Sequence, residues 1–324
     1  MPVHVVTGCA GFIGAHVAEA LLRRGDDVVG VDALNDAYSV DMKHEALQRL
    51  QLISGESDGG RFTFIQGNLL DDDVRSQLWS HAPDVVVHLA ARAGVRPSIE
   101  EPMLYHAENA TVTAHLLDEA RRQSPMPKFV LASSSSVYGE RTEVPFAEDS
   151  NTDHPISPYA ASKKACEVSA FTTHHLFGLS VFCLRFFTVY GPGQRPDLAI
   201  HKFAERLHND EPIPRYGDGT TARDYTFVGD ITDGVLRAID RCEGYDILNL
   251  GSSRPVTLQT LIDKIGAAFG KTPVIDELPA QPGDVSITYA DISRAEEVLG
   301  YRPQTSLDDG LQAFADWFMQ RKVR

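Results

Sequence analysis

Cysteine is scarce in this chain of 324 residues. Its four cysteines, Cys9, Cys166, Cys183 and Cys242, are scattered and show no paired spacing. Such a pattern argues against a disulfide framework and offers no zinc-finger spacing. We therefore expect reduced thiols, a cytoplasmic protein and no bound metal ion.

Long hydrophobic runs and positive charge are also lacking. No apolar run approaches the roughly 20 residues that cross a bilayer. The chain enters a predicted strand at once, which leaves no room for a signal peptide. A net charge of −15 disfavours nucleic acid and acidic membranes as partners. Since 43% of the residues are hydrophobic, we expect a soluble enzyme with a full core, whose anionic ligands are held by local donors.

A glycine-rich turn follows the first predicted strand, residues 2–7, and leads into a predicted helix at 15–24. The turn reads Gly8-Cys9-Ala10-Gly11-Phe12-Ile13-Gly14. Gly8 permits a tight turn, Gly11 lets backbone approach a pyrophosphate, and Gly14 lets the helix pack on the strand. The helix N-terminus then faces the phosphates with its free N–H groups. Alone, such a pattern is also compatible with a simple tight turn.

The second predicted strand, residues 27–31, ends in Asp32. A carboxylate at this place suits the two ribose hydroxyls of adenosine and repels a 2′-phosphate. No Arg or Lys follows until Lys43. The sequence therefore predicts a dinucleotide site that prefers NAD over NADP.

Strands and helices alternate along the first half of the chain, which predicts a doubly wound parallel sheet of the Rossmann type. The further predicted strands are 62–66, 84–89, 128–132 and 180–187, and the helices are 42–52, 71–79, 103–122 and 158–176. Beyond residue 187 the rhythm becomes irregular. We expect an NAD-binding domain over 1–187 and a smaller C-terminal α/β lobe, mainly 188–324, that binds substrate, with some chain crossing back.

Acid–base chemistry is indicated by Tyr159 and Lys163, which lie one turn apart on a predicted helix that starts at Pro158. A phenol has a pKa of about 10, and a neighbouring ammonium favours the phenolate. Tyr-x-x-x-Lys alone is common in ordinary helices, so its weight comes from the N-terminal turn.

Arginines on predicted loops are candidate anion ligands. Arg96 ends a turn of small residues, 89–96, against which a cofactor can lie. Arg195 and Arg223 in the C-terminal lobe are candidates for a diphosphate clamp, because the guanidinium matches phosphate oxygens. For each of the three, a solvated side chain or a surface ion pair is an equal alternative.

Thr7 to Gly14 together with Tyr159-x-x-x-Lys163 resembles the extended short-chain dehydrogenase/reductase family of nucleotide-sugar enzymes over essentially the whole chain. Four stretches resemble the UDP-glucuronate 4-epimerases within it, namely 89–96, 132–139, 184–192 and 195–197. The resemblance implies a tightly held NAD and a UDP-sugar under the C-terminal lobe. It also implies a homodimer whose four-helix bundle comes from the helices containing 103–122 and 159–176.

The same resemblance implies the site residues. The catalytic residues are Ser134, Tyr159 and Lys163. Cofactor contacts are expected from Gly8, Gly11, Phe12, Ile13, Gly14, Asp32, Asn68, Leu69, Leu89, Ala90, Ala91, Ser133, Tyr159 and Lys163. Substrate contacts are expected from Arg96, Ser134, Ser135, Ser136, Tyr159, Thr188, Arg195, Tyr216, Arg223 and Asp284.

Three of these substrate residues match specific parts of the UDP moiety in the family. Arg223 matches the residue on the diphosphate, Tyr216 the aromatic residue at the uracil and Asp284 the group on the uridine ribose. Two positions depart from the family pattern. Asn68 replaces an Asp near adenine, and Gln281 replaces the Arg of galactose epimerases, which favours a sugar other than glucose.

Ser135 and Ser136 stand where related dehydratases carry an Asp-Glu pair, and decarboxylases carry Glu at the position of Ser136. Without that acid–base group, the simplest outcome is epimerisation at C4 between UDP-glucuronate and UDP-galacturonate. The hydroxyls of Ser136 and Thr188 are candidates to hold the substrate carboxylate. A UDP-glucose 4-epimerase, a decarboxylase and an NAD-sensing binding protein remain alternatives, although the set Ser134, Tyr159 and Lys163 disfavours a sensor.

Overall fold

A computed structural model describes residues 2–56, 59–279 and 286–323. Its centre is a parallel sheet of seven strands in the order β10-β6-β5-β4-β1-β2-β3. These strands are β1 (Val3–Thr7), β2 (Asp27–Asp32), β3 (Phe62–Gln66), β4 (Val85–His88), β5 (Lys128–Ser134), β6 (Val181–Phe186) and β10 (Tyr245–Leu250). The predicted doubly wound sheet is confirmed.

Helices cover both faces of this sheet, which explains why β4, β5 and β6 are nearly continuous apolar runs. In the first half of the chain they are α1 (Phe12–Arg23), α2 (Val40–Ser54), α3 (Asp72–Trp79), α4 (Val95–Glu100), α5 (Pro102–Tyr105), α6 (Val112–Ala120) and α7 (Pro158–Phe177). The helices of the second half of the chain are α8 (Ala199–His208), α9 (Val228–Arg241), α10 (Leu258–Ala268), α11 (Ser293–Leu299) and α12 (Leu307–Val323). Of these, α8, α10 and α12 pack in a separate core outside the central sheet.

The order of the strands fixes where a ligand can bind. β1 lies between β2 and β4. After β1 the chain forms β2 and β3 on one side of it, and it then crosses to form β4 on the other side. At the carboxyl end of the sheet, Thr7 pairs with both Val31 and His88. Parallel sheets bind ligands in the crevice at such a reversal of strand order. The glycine-rich turn leaves β1 at this point.

The helix predicted over 103–122 is not one continuous α-helix. The segment His106–Thr111 between α5 and α6 is a π-helix. The apolar spacing of the sequence did not reveal this local change in the hydrogen-bonding pattern, and π-helical turns are frequent at functional sites. The short helix α4, which begins at Val95 inside the stretch 89–96 assigned to a turn, was also missed.

The C-terminal part carries small sheets of its own. A strand β9 (Ala222–Phe227) pairs with β7 (Thr188–Tyr190), β11 (Pro255–Thr257) and β13 (Ile287–Thr288), while β8 (Ile213–Tyr216) pairs with β12 (Ile275–Leu278). The sequence did not predict β9, β11, β13 or α11. Meanwhile β10 returns to the central sheet beside β6. The boundary at residue 187 stays a prediction. None of the helices in the described segments is long and apolar enough to cross a membrane.

Candidate active site

The glycine-rich turn is built as a cradle. Gly8 has a φ of +71°, and a Cβ added to it would lie 2.9 Å from the amide nitrogen of Ala90. The hydroxyl of Thr7 accepts the N–H groups of Leu89 and Ala90, both at 3.1 Å. This contact brings the turns after β1 and β4 together, so two of the predicted cofactor segments are adjacent.

Helix α1 starts directly at this turn. Its N-cap is Gly11, which has no side chain to occupy the free N–H groups of the first helical turn. A Cβ on Gly14 would overlap the carbonyl of Gly8, so only glycine allows this packing of helix on turn. The open N-terminus and close-packed backbone fit a dinucleotide diphosphate.

Asp32 ends β2 beside the same turn. Its carboxylate accepts the N–H of Ala10 at 3.1 Å and the N–H of Leu34 at 2.9 Å. Leu34 has a φ of +49°, an uncommon value for a residue with a side chain. The Asp32 carboxylate, which is predicted to bind the ribose, is thus held by backbone N–H groups of the glycine-rich turn and of the loop after β2.

Lys43 organises the loop that follows Asp32, a role that the sequence did not reveal. Its ammonium is buried and donates to the backbone oxygen of Asn35 at 2.6 Å and to the Asn35 side-chain oxygen at 2.9 Å. Burial lowers the pKa of Lys43, and the negative charge of Asp32 opposes that shift. Because the ammonium is committed to Asn35, Lys43 does not weaken the preference for NAD.

The hydroxyl residues at the end of β5 form a tight turn. Ser134 accepts the N–H of Ser136 at 3.1 Å and caps the 3₁₀ turn Ser135–Tyr138. The Ser134 hydroxyl also donates to the Ser136 hydroxyl at 3.1 Å. Two hydroxyls predicted to contact the sugar are therefore neighbours at the carboxyl edge of the sheet.

Helix α7 presents Tyr159 and Lys163, as predicted. Ser157 caps it by accepting the N–H of Ala160 at 3.1 Å. The Lys163 ammonium is buried and donates to the carbonyl oxygen of Ala132 in β5 at 2.9 Å. This bond joins α7 to the strand that carries Ser134.

A neutral histidine lies behind these residues. Burial, together with the positive charge of Lys163, lowers the pKa of His88 to about 3. Its ring nitrogens are 2.8 Å from the hydroxyl of Thr7 and 3.1 Å from that of Thr113. His88 therefore contributes hydrogen bonds, not charge, between the glycine-rich turn and α6.

A buried ion pair beneath the site was missed from the sequence. Glu167 accepts from the Ser133 hydroxyl at 2.6 Å and from the Arg185 guanidinium at 2.8 and 2.9 Å. Both charged side chains are only 1% exposed. Two signals pointed to the pair: Glu167 lies four residues after Lys163, and Arg185 interrupts an apolar strand. The predicted cofactor contact of Ser133 stays a prediction.

The candidate arginines lie in different settings. Arg195 is on a loop, as predicted, where it pairs with Asp197 at 2.6 and 2.9 Å and interacts electrostatically with Tyr159 and Tyr38. The prediction that Arg223 and Arg96 lie on loops was wrong. Arg223 lies in β9, because alternating burial makes that segment a strand, and the exposed Arg96 lies in α4.

The remaining candidates lie on several different elements. Thr188 lies in β7 opposite Tyr225, and Tyr216 ends β8. Asn68 follows β3 and uses its side-chain oxygen to accept the N–H of Leu70 at 2.9 Å. Asp284 and Gln281 lie outside the described residues. Within the described segments, no three His, Cys, Asp or Glu side chains gather where a metal ion could be held.

Comparison with known proteins identifies the family. A model of the NAD dependent epimerase/dehydratase family matches residues 4–251. The chain belongs to this family. Membership in the NAD-dependent epimerase/dehydratase family confirms the predicted resemblance, the fold and NAD as the cofactor.

Several relatives in this epimerase/dehydratase family are similar over nearly the whole chain. UDP-glucuronate 4-epimerase of Thermodesulfobacterium geofontis is 40% identical over 98% of this chain and 96% of its own length. UDP-glucuronate 4-epimerase 3 of Arabidopsis thaliana is 41% identical over 97% of this chain and 76% of its own length. A crystal structure of UDP-glucuronic acid 4-epimerase from Bacillus cereus, in complex with UDP-glucuronic acid and NAD, has a TM-score of 0.90. It is 36% identical and covers 99% of this chain and 100% of the other.

Proposed function

We propose that the protein is an NAD-dependent 4-epimerase that interconverts UDP-glucuronate and UDP-galacturonate through a transient 4-keto sugar. The observation that carries this proposal is the pairing of Tyr159 and Lys163 on α7 with a run of hydroxyls at the end of β5. No carboxylate follows Ser134 in that run. Full-length similarity to two UDP-glucuronate 4-epimerases supports the same substrate.

NAD is held by the turn after β1, the carboxylate of Asp32 and the segment after β4. Gly8, Gly11 and Gly14 give the diphosphate access to backbone N–H groups, and Asp32 accepts from the adenosine ribose. When bound, NAD takes the hydrogen of C4 as hydride and gives it back to the opposite face of the sugar. The residues around it orient the sugar and move a proton.

Tyr159 is the acid–base residue of the proposed reaction. As phenolate it takes the proton of the sugar 4-hydroxyl, and it returns that proton when the keto group is reduced. Lys163 stabilises the phenolate, and its bond to Ala132 keeps the ammonium in place. With the sugar bound, Ser134 turns its single O–H from the Ser136 hydroxyl to the oxygen at C4, where negative charge develops.

Hydroxyls around C5 and C6 favour epimerisation over decarboxylation. A 4-keto glucuronate is a β-keto acid and loses carbon dioxide when its C5–C6 bond aligns with the carbonyl π system. Ser136 and Thr188 hold the carboxylate out of that alignment without desolvating it. Ser135 and Ser136 also supply no acid–base group for elimination.

The UDP moiety lies under the C-terminal lobe. Arg223 on β9 and Arg195 bind the diphosphate, Tyr216 packs against the uracil, and Asp284 accepts from the uridine ribose. Arg96 is a further ligand for substrate anions. The position of Arg223 on a strand supports its role, because strand residues are held more firmly than loop residues.

We also propose that the active form is a homodimer. Helices α6 and α7 pack side by side, and α7 exposes Val168, Phe171 and Leu176 to 53%, 51% and 61%. An exposed apolar face on α7, beside α6, suits a two-fold four-helix bundle with a second copy. Light scattering of the purified protein tests this, and a monomer at micromolar concentration refutes it. The free, buried thiols support a cytoplasmic location.

The experiment that tests the function is an NMR time course of the purified protein with UDP-glucuronate. The expected result is conversion to UDP-galacturonate until both sugars coexist. A parallel run with UDP-glucose tests the neutral-sugar alternative, since faster turnover of UDP-glucose overturns the assigned substrate. Release of a UDP-pentose as the main product indicates a decarboxylase instead.

A further inference from the structure

Tyr105 is a buried tyrosine beside the active site that the proposed reaction does not use. It ends α5, directly before the π-helix, and is only 3% exposed. Its ring lies against the ring of Tyr159 in an edge-to-face arrangement, with centroids 6.2 Å apart and planes at 82°. Such pairs prefer this geometry and are stabilised by it.

The hydroxyl of Tyr105 makes a second contact with the site. It donates to the carbonyl oxygen of Ala93 at 3.2 Å. Burial raises the pKa of Tyr105, while the positive charges of Arg195 and Arg92 oppose the shift, so the phenol is protonated and can donate. Ala93 belongs to the turn after β4 that lies against the glycine-rich cradle. One side chain thus touches the catalytic tyrosine and the predicted cofactor turn.

The π-helix contacts both the turn after β4 and helix α7. Asn109 accepts the N–H of Arg92 at 2.7 Å and donates to the hydroxyl of Ser162 at 2.9 Å. Ser162 in turn donates to the carbonyl oxygen of Tyr159 at 2.8 Å. The backbone of Tyr159 is therefore fixed by Asn109 through Ser162, which leaves its ring as the part that still needs support.

We propose that Tyr105 is a positioning residue for Tyr159. Its ring fixes the orientation of the catalytic phenol, while its hydroxyl adds only a minor contact with the turn after β4. The inference rests on the proposed role of Tyr159 in epimerisation. It assigns to Tyr105 no contact with the reacting atoms.

The test separates the ring from the hydroxyl. Tyr105→Phe keeps the ring, so its kcat should stay within about threefold of wild type. Tyr105→Leu removes the ring, and kcat should fall about ten- to a hundredfold, because misplacing a reacting group by about 1 Å has an effect of this size. The KM for UDP-glucuronate should change less than kcat. Should Tyr105→Leu fail to fold, Tyr105→Met, which fills more of the volume, replaces it.

A matched control and a double mutant separate positioning from general destabilisation. Tyr301→Leu removes another buried tyrosine, which packs in the core on the central sheet, and should lower Tm while keeping kcat per folded molecule. In a Tyr159→Phe background, Tyr105→Leu should add no further loss, because no phenol is left to orient. The inference is overturned if Tyr105→Leu keeps wild-type kcat, or if it slows the Tyr159→Phe enzyme by the same factor as wild type. A wild-type protein that fails to epimerise refutes the proposed function instead.

Discussion

Among single residues, Tyr159 is the most important to the proposed mechanism. In that mechanism it takes the proton of the sugar 4-hydroxyl, and general acid–base catalysis contributes about 10²–10⁴-fold. Tyr159→Phe should therefore lower kcat by at least that factor while UDP-sugar binding, measured by calorimetry, is largely kept. Activity within a few-fold of wild type would remove Tyr159 from the mechanism.

Ser136 and Thr188 are the residues proposed to decide between epimerisation and decarboxylation of the 4-keto sugar. A hydrogen bond to a charged group contributes about 1.5–3 kcal/mol. Its loss can shift the partition by roughly ten- to a hundredfold. Thr188→Val should lower epimerisation and raise the UDP-4-keto-pentose, detected by mass spectrometry, and Ser136→Ala should act in the same direction. If both variants epimerise normally and release no extra carbon dioxide, other groups control the torsion.

His88 makes stability depend on pH. Its pKa is about 3 in the folded protein, against an ordinary histidine value of 6.5, so between these values the unfolded chain binds the extra proton. Its contribution is complete above pH 6.5 and is lost as pH falls towards 3, with a slope of at most about 1.4 kcal/mol per pH unit. His88→Gln should flatten the fall of Tm over this window. The exposed His154 provides the control, and an equal effect of His154→Gln would refute the assignment to His88.

At the scale of elements, local signals account for what the sequence predicted. The apolar run of β4 and the spacing of Tyr159 and Lys163 are local patterns, and both were found. The strand β9 was missed because its buried residues include Asp224 and Thr226, so its alternation is not one of apolar and polar types. The contact of Arg185 with Glu167 joins residues 18 positions apart through the packing of α7 on the sheet. Sequence patterns do not show which residues come into contact through packing of this kind.

That ion pair joins α7 to β6, and Glu167 also accepts from Ser133 in β5. Removing one partner of a buried pair leaves an uncompensated charge, which costs about 3–5 kcal/mol. Glu167→Ala should therefore lower the free energy of unfolding by about this amount, measured by urea denaturation. Glu296→Ala breaks the exposed pair with Arg302 and should cost about 0–1 kcal/mol. Equal losses in the two variants would show that the buried pair has no special role.

At the scale of the whole molecule, the reversal of strand order at β1 brings three carboxyl ends together. The turn after β1, the turn after β4 and the hydroxyls after β5 meet there, and α7 is fixed across them by Lys163. The C-terminal part carries Arg223 on β9, while β10 returns to the central sheet. The meeting of these turns at one edge of the sheet suits a reaction in which a keto sugar is formed, turned and reduced without being released.

The most direct test of this account is the fate of the hydrogen at C4. UDP-glucuronate carrying deuterium at C4 is given to the purified protein in ordinary water, without added NAD. The account predicts UDP-galacturonate that retains deuterium at C4, seen by NMR and mass spectrometry, since the same hydrogen leaves and returns within one site. Loss of the label to solvent, or its accumulation in free NADH, would contradict it.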